Sequence, residues 1–344
     1  MSELVRVLVV DDSAYVRKVV AQMLGRSPFL DVVGAARDGE EALEMAKTLD
    51  PHVITCDLNM PIMDGVSFVR AQMARKAIPI VIISIAAASG EQVLAALDAG
   101  AVDFVQKPTA LATERLMDIA DELVEKVKAA AGAPRRTITA QVKVPPPLPL
   151  LRTFATTVDI VVLGISTGGP QGLKVVIPQL PAGFPVPVAL VMHMPVGYTE
   201  LYAQKLNELA QLKVVEASEG QEVEAGTVYI APAGRHLSFV RSSGTVVTHL
   251  DIRPLDSLHR PSVDTLFQSA ADVYGERVLG AVMTGMGSDG RAGAAWIKAR
   301  GGCILTEAEE TCVVYGMPRS VVEAGLSDAA VPLSRMAQAI MERI

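Results

Sequence analysis

The sequence predicts an α/β protein: an N-terminal five-stranded parallel sheet, a linker, and a C-terminal doubly wound, mostly parallel sheet with a β-rich insertion. Three observations carry this. Short β-branched runs alternate with helical patterns along both halves, which is the rhythm of βα units. The chain has 344 residues, half of them hydrophobic and a fifth charged, enough to bury the cores of two domains. Between the halves, residues 129–157 contain no Asp or Glu, and Pro145, Pro146, Pro147 and Pro149 favour an extended tether. The expected divisions are 1–128, 129–157 and 158–344.

In the first half the strands are "VRVLVV", "DVVGAA", "HVITC", "IPIVIIS" and "DFVQ". Each is a short run with β-branched residues, and helical patterns at 13–26, 39–49, 64–74, 91–98 and 112–130 separate or follow them. In the second half "VDIVVLG", "VPVALVM", "RVLGAVM" and "GGCILT" read as buried strands, with helices near 170–179, 197–209, 262–274 and 290–300. "GTVYIAP", "HLSFVR" and "TVVTHL" suggest the β-rich insertion. The tether carries Arg135, Arg136, Lys143 and Arg152, four positive charges that could meet an acidic domain face.

Composition excludes several classes. A formal charge of −7 repels phosphate backbones, so no nucleic-acid partner is expected. Three cysteines without CxxC spacing suggest reduced thiols and neither a disulfide framework nor a zinc site. "MSELVRVLVVDD" turns acidic within a dozen residues and does not read as a signal peptide. The longest apolar run, "IPIVIISIAAA", is too short to span a bilayer. A cytoplasmic location without direct membrane insertion is the expectation.

Ligands of open parallel sheets bind beyond the carboxyl ends of the strands. There the first half places Asp11 and Asp12 after its first strand, Asp57 after the third, Ser84 at the end of the fourth and Lys107 after the fifth. Clustered carboxylates repel unless a cation joins them, and oxygen-only donors with room for water suit Mg²⁺. One carboxylate can then accept a phosphoryl group, with the metal and Lys107 neutralising its charge. An Asp after a strand is often only a turn residue; five suitable residues on one sheet edge argue against that.

With "VDDS" at 10–13, "DLNMPIMDG" at 57–65 and "GAVDFVQKP" at 100–108, residues 4–125 resemble the flavodoxin-like receiver domain of bacterial response regulators. The resemblance implies Asp57 as phospho-acceptor, Asp11, Asp12 and Asp57 as Mg²⁺ ligands, and Lys107 as phosphate contact. It makes Ser84 and Phe104 the hydroxyl and aromatic switch positions. A phosphohistidine on a partner kinase would be the donor.

In the second half "GISTGGP" fits G-x-S-x-G between a strand and a helix. Ser166 would project beyond the sheet, with helix N–H groups behind it. Taken alone, such a turn more often serves packing or phosphate binding. Of five histidines, His193 follows a strand and should emerge on the same edge as Ser166. His52 lies on the wrong edge of the other half, His249 lies within a β-run, and His236 and His259 in loops stay open. Asp289 in "TGMGSDG" supplies an orienting acid after a third strand. The order Ser–His–Asp differs from that of α/β-hydrolases.

These residues, with "HMP", "VYIAPAGRHL", "HRPSVDTLFQSAA" and "TCVVYGMPR", resemble the catalytic domain of chemotaxis protein-glutamate methylesterases over residues 158–340. The resemblance implies Ser166 as nucleophile, His193 as base, Asp289 as acid, and Thr167 with the Met286 N–H as transition-state stabilisers. The implied activity is hydrolysis of glutamate γ-methyl esters on chemoreceptor cytoplasmic domains, with glutamine deamidation beside it and no metal for the esterase step. The expected partners are methylated chemoreceptors and a chemotaxis histidine kinase, with the unphosphorylated receiver covering the Ser166 crevice. Two alternatives compete. One is a non-catalytic partner-binding output domain. The other is a nucleotide site, for which the sequence offers neither a Walker lysine nor an acid at dinucleotide spacing.

Overall fold

The computed structural model describes residues 4–85, 90–107, 119–133, 145–148 and 157–344. The chain divides into two compact units, Met1–Gln141 and Val142–Ile344. Most of the tether 129–157, including its four basic residues, lies outside the described residues.

The first unit has strands β1 (Val5–Val10), β2 (Leu30–Ala36), β3 (Val53–Cys56), β4 (Ile80–Ile85) and β5 (Asp103–Lys107) in the order β2-β1-β3-β4-β5. Every pairing is parallel. Helices α1 (Ala14–Leu24), α2 (Gly39–Leu49), α3 (Gly65–Arg75), α4 (Gly90–Asp98) and α5 (Ala120–Ala131) complete it. Ser13, Asp38 and Asp64 cap the first three by accepting an N–H of the first turn. Strand order reverses between β1 and β3, so a crevice opens beyond their carboxyl ends, where Asp11 and Asp57 emerge. The expected helix 112–130 is seen only from residue 119 onward, and it runs three residues into the expected linker.

The second unit holds β6 (Ile160–Ile165), β7 (Val188–Met192), β8 (Lys213–Glu216), β9 (Thr227–Ile230), β12 (Val278–Val282), β13 (Cys303–Glu307) and β14 (Ala329–Val331). Their order is β14-β13-β12-β6-β7-β9-β8, again with parallel pairings throughout. The sheet winds outward in both directions from β6, so the switch point lies at β6 and β12. Both strands are wholly buried, as a parallel sheet covered on both faces requires. The helices are α6 (Gly169–Val176), α7 (Thr199–Leu209), α8 (Val263–Tyr274), α9 (Arg291–Ala299), α10 (Met317–Glu323) and α11 (Leu333–Met341). Gly164 lets α8 lie against β6: a Cβ there would sit 2.3 Å from Val263 Cγ1.

The insertion is a hairpin, β10 (His236–Ser242) and β11 (Thr245–Asp251), turned by Ser243 and Gly244 at φ 51° and 93°. "GTVYIAP" does not belong to it: as β9 it joins the main sheet between β7 and β8. All four residues of β9 are buried, as a strand inside a sheet covered on both faces requires.

Candidate active site and carboxylate cluster

The register of the second sheet brings the nucleophile and base candidates together. Ile165 on β6 pairs with Met192 on β7, so the next residues, Ser166 and His193, leave adjacent parallel strands side by side. The ladder continues one step, with the His193 N–H donating to the Ile165 carbonyl at 3.2 Å. On the other flank the Ser166 N–H donates to the Thr284 carbonyl at 2.9 Å. The Thr284 hydroxyl donates to the Thr167 carbonyl at 3.0 Å and accepts from the Val314 N–H at 3.0 Å. Thr284 therefore ties the nucleophile turn to the loop that leads to Asp289.

Gly285 is required by this closeness: a Cβ there would lie 2.8 Å from Ser166 Cβ. Gly168, the residue before α6, has φ 79°, a conformation that favours glycine. Thr167 is buried. Among the described residues the Met286 N–H meets no acceptor.

His193 and Asp289 form a hydrogen bond of 2.8 Å between Nε2 and Oδ2, with side chains 11% and 7% exposed. Three more donors converge on this carboxylate from the start of α8. The Ser262 hydroxyl and the Asp264 N–H reach Oδ1, each at 2.9 Å, and the Val263 N–H reaches Oδ2 at 2.8 Å. Asp289 thus sits on a helix N-terminus, where negative charge is favoured. Burial pushes its carboxyl up, but the bond and charge of His193 and the two backbone N–H groups outweigh this and hold it at about 2. An ionised Asp289 can only accept, so His193 Nε2 must carry the proton. Nδ1 is then the basic nitrogen. It is buried and, among the described residues, without a hydrogen-bond partner, so the Ser166 hydroxyl is not bonded to it in this geometry. Such bonds often tighten only when substrate binds.

Ser262 and Asp264 were not singled out in the sequence, and the two histidines left open there, His236 and His259, lie in the surroundings of this bond. Ser262 caps α8 by accepting the Thr265 N–H and also donates to Asp289; a Ser just before an apolar helical run was the available signal. Asp264 accepts the Gly290 and Gly293 N–H groups, fixing the loop after Asp289. His259 stacks on His193, with ring centroids 4.1 Å apart and planes at 20°. His236 is buried at the start of β10 and accepts the Ser262 N–H. His249 pairs with Glu219 on the surface, and His52 accepts the Arg6 N–H on the opposite edge of the first sheet.

In the first unit Lys107 Nζ bridges Asp11 Oδ2 at 2.7 Å and Asp57 Oδ1 at 2.5 Å. The free oxygens accept backbone N–H groups, Ser13 to Asp11 and Asn59 to Asp57. Burial raises the Asp57 carboxyl, and Lys107 only partly offsets it. Lys107 is itself raised, because the two carboxylates outweigh its desolvation. Asp12 is exposed beside them. Ser84 and Phe104 are buried on β4 and β5, and the Lys126 ammonium lies 5.6 Å from the Phe104 ring. Among the described residues no three acidic, His or Cys side chains form a compact metal cage. The oxygen donors of Asp11 and Asp57 nonetheless have the hard chemistry that suits Mg²⁺.

Comparison with known proteins gives one answer for both units. Residues 161–340 match the CheB methylesterase family, and residues 7–121 match the response regulator receiver domain. The chain is 49% identical to protein-glutamate methylesterase/protein-glutamine glutaminase 5 of Myxococcus xanthus, over 96% of each protein. It is 41% identical to the protein-glutamate methylesterase/protein-glutamine glutaminase of Halalkalibacterium halodurans, over 100% of this chain and 99% of that one. The crystal structure of the Thermotoga maritima CheB methylesterase catalytic domain superposes with a TM-score of 0.53 at 42% identity, covering 54% of this chain and 99% of that one. No described helix is long and apolar enough to cross a membrane. With a receiver domain ahead of a sheet that gathers Ser166, His193 and Asp289 on one edge, this chain belongs to the CheB methylesterase family.

Proposed function

We propose that the chain is a protein-glutamate methylesterase with protein-glutamine deamidase activity, acting through Ser166, His193 and Asp289. The observation that carries the reading is the His193–Asp289 bond, set beside Ser166 by the β6–β7 register. Asp289 fixes the tautomer, so Nδ1 takes the hydroxyl proton as Ser166 Oγ attacks the γ-carbonyl carbon of a glutamyl methyl ester. The Met286 N–H and Thr167 face the developing oxyanion; one such donor is worth roughly 3–4 kcal/mol. His193 returns the proton to the methoxy group and methanol leaves. The same nitrogen then activates water, which hydrolyses the acyl-enzyme to a glutamate carboxylate. A glutamine side chain enters the same path with ammonia as leaving group.

The substrates in this reading are chemoreceptor cytoplasmic domains, and the receiver inhibits the esterase until it is phosphorylated. Asp57 is the phospho-acceptor and a chemotaxis histidine kinase the donor. Asp11, Asp12 and Asp57 would hold Mg²⁺, which supplies charge neutralisation when bound. The Lys107 ammonium already lies against Asp57, ready to offset charge added there. Ser84 and Phe104 are the switch positions. The test measures methanol release from receptors methylated by a receptor methyltransferase, with and without a small phosphodonor and Mg²⁺. Release should rise with the phosphodonor and lose that rise in Asp57→Asn. Equal release with and without the phosphodonor refutes the regulation; no release under any condition refutes the esterase.

A further inference from the structure

Glu307 ends β13 with its side chain fully buried. Its Oε2 accepts the Thr284 N–H at 2.9 Å and its Oε1 accepts the Thr311 hydroxyl at 3.0 Å. Both partners are neutral. The titratable groups around it are the Cys312 thiol, 3.9 Å from the Glu307 carbonyl, and Glu309 and Glu310 on the turn carrying Thr311. Val331 across the ladder and Leu333, whose N–H donates to Thr311, are apolar. A buried carboxylate without a cation is costly, and burial, opposed only by the two hydrogen bonds, carries this carboxyl to about 7.

The surrounding network tolerates either protonation state. Thr311 Oγ1 lies 3.2 Å from the Ala308 carbonyl as well. When Glu307 is ionised, the Thr311 hydroxyl donates to it. When Glu307 is protonated, its O–H can donate to Thr311, which then turns its own proton to Ala308. The Thr284 N–H bond survives in both states. Thr284 is also the residue that accepts the Ser166 N–H and donates to the Thr167 carbonyl. Two residues further on is the Met286 N–H.

We propose that Glu307 is a positioning residue for the esterase reaction, and that its neutral form supports the negative charge developing at the Met286 side of the site. This rests on the esterase reading above. The ionised form keeps the same partners, Thr284 and Thr311, but sets a buried negative charge next to the Thr284 N–H, two residues from Met286. Thr284 and Met286 are two residues apart, at most about 7 Å of chain. A unit charge roughly 10 Å away at an effective dielectric constant of about 20–25 then slows the attack about tenfold.

The test compares full-length wild type with Glu307→Gln, which keeps size and the acceptor for Thr284 and cannot ionise. The readout is the ratio of their kcat/KM values for methanol release between about pH 6 and 8.5. The ratio cancels every pH dependence that the two proteins share. It should stay near one at low pH and fall about tenfold through a midpoint near 7, with KM unaffected. Infrared difference spectra across the same range should show the loss of a protonated-carboxyl band in wild type and not in the variant. A ratio independent of pH, or a folded Glu307→Gln protein inactive at every pH, overturns the proposal. If wild type releases no methanol, or Ser166→Ala releases as much, the esterase reading has failed instead; a missing infrared band then counts against Glu307 separately.

Discussion

Replacing Asp289 with Asn keeps the shape of the side chain and removes its charge. Four donors point at this position: Ser262 Oγ, His193 Nε2 and the N–H groups of Val263 and Asp264. An amide offers one acceptor oxygen, and its NH₂ group must face the other pair. On the Oδ1 side it collides with the Asp264 N–H; on the Oδ2 side it collides with the Val263 N–H. Either orientation leaves a buried backbone donor unpaired, at about 1–3 kcal/mol. In the second orientation His193 must also reverse its tautomer, so Nδ1 carries a proton and cannot accept one from Ser166. We expect kcat for methanol release to fall about 10³–10⁴-fold with KM little changed, the cost that a reversed tautomer imposes in a Ser–His–Asp triad.

Stability should respond as well. Holding the Asp289 carboxyl at about 2, against 3.8 unfolded, contributes about 2–3 kcal/mol. That contribution is present above pH ~4 and is lost as pH falls through ~2. Wild type should therefore melt above Asp289→Asn at neutral pH, and the gap should close in acid. A variant within tenfold of wild-type kcat, with an unchanged melting temperature, would refute the tautomer argument.

Three further outcomes follow from the same geometry. Ser262→Ala removes both the cap of α8 and one donor to Asp289; it should cost about 1–2 kcal/mol in denaturant unfolding and several-fold in kcat. Gly285→Ala places a Cβ 2.4 Å from Met317 Sδ and 2.8 Å from Ser166 Cβ. The thioether can swing away, whereas Ser166 must shift, so kcat should drop more than tenfold while circular dichroism stays native. Lys107→Ala leaves Asp11 and Asp57 facing each other without their shared cation, which should lower the rate of phosphoryl uptake from a small phosphodonor, measured by phosphoprotein gels, and leave unstimulated methanol release unchanged.

Strand ends were the most readable part of the sequence. β3, β6, β7 and β12 are almost wholly apolar, β1, β2, β4, β5 and β13 carry an apolar core, and polar residues at or beyond the carboxyl ends of these strands mark the candidate-site edge. That pattern was enough to single out Asp11, Asp57, Lys107, Ser166, His193 and Asp289. β8, "KVVE", and β14, "AAV", escaped notice because edge strands of three or four residues carry too little periodicity. The placement of β9 was also illegible: four residues of strand type fit a hairpin or a parallel sheet equally, and only pairing partners decide. Ser262, Asp264 and Glu307 were hidden for another reason. Their contacts with Asp289, Gly290 and Thr284 span 23 to 27 residues, and local sequence does not encode them. Which nitrogen of His193 is left open towards Ser166 in the proposed mechanism likewise depends on the Asp289 bond and does not come from the motif.

The central claim is that Ser166 is the nucleophile. It is tested most directly by treating the full-length protein with a fluorophosphonate and mapping the adduct by peptide mass spectrometry, alongside methanol release by Ser166→Ala. The account predicts a single adduct on Ser166, slow labelling in His193→Gln, and no methanol from the alanine variant. An adduct elsewhere, or methanol release by Ser166→Ala at the wild-type rate, would contradict it.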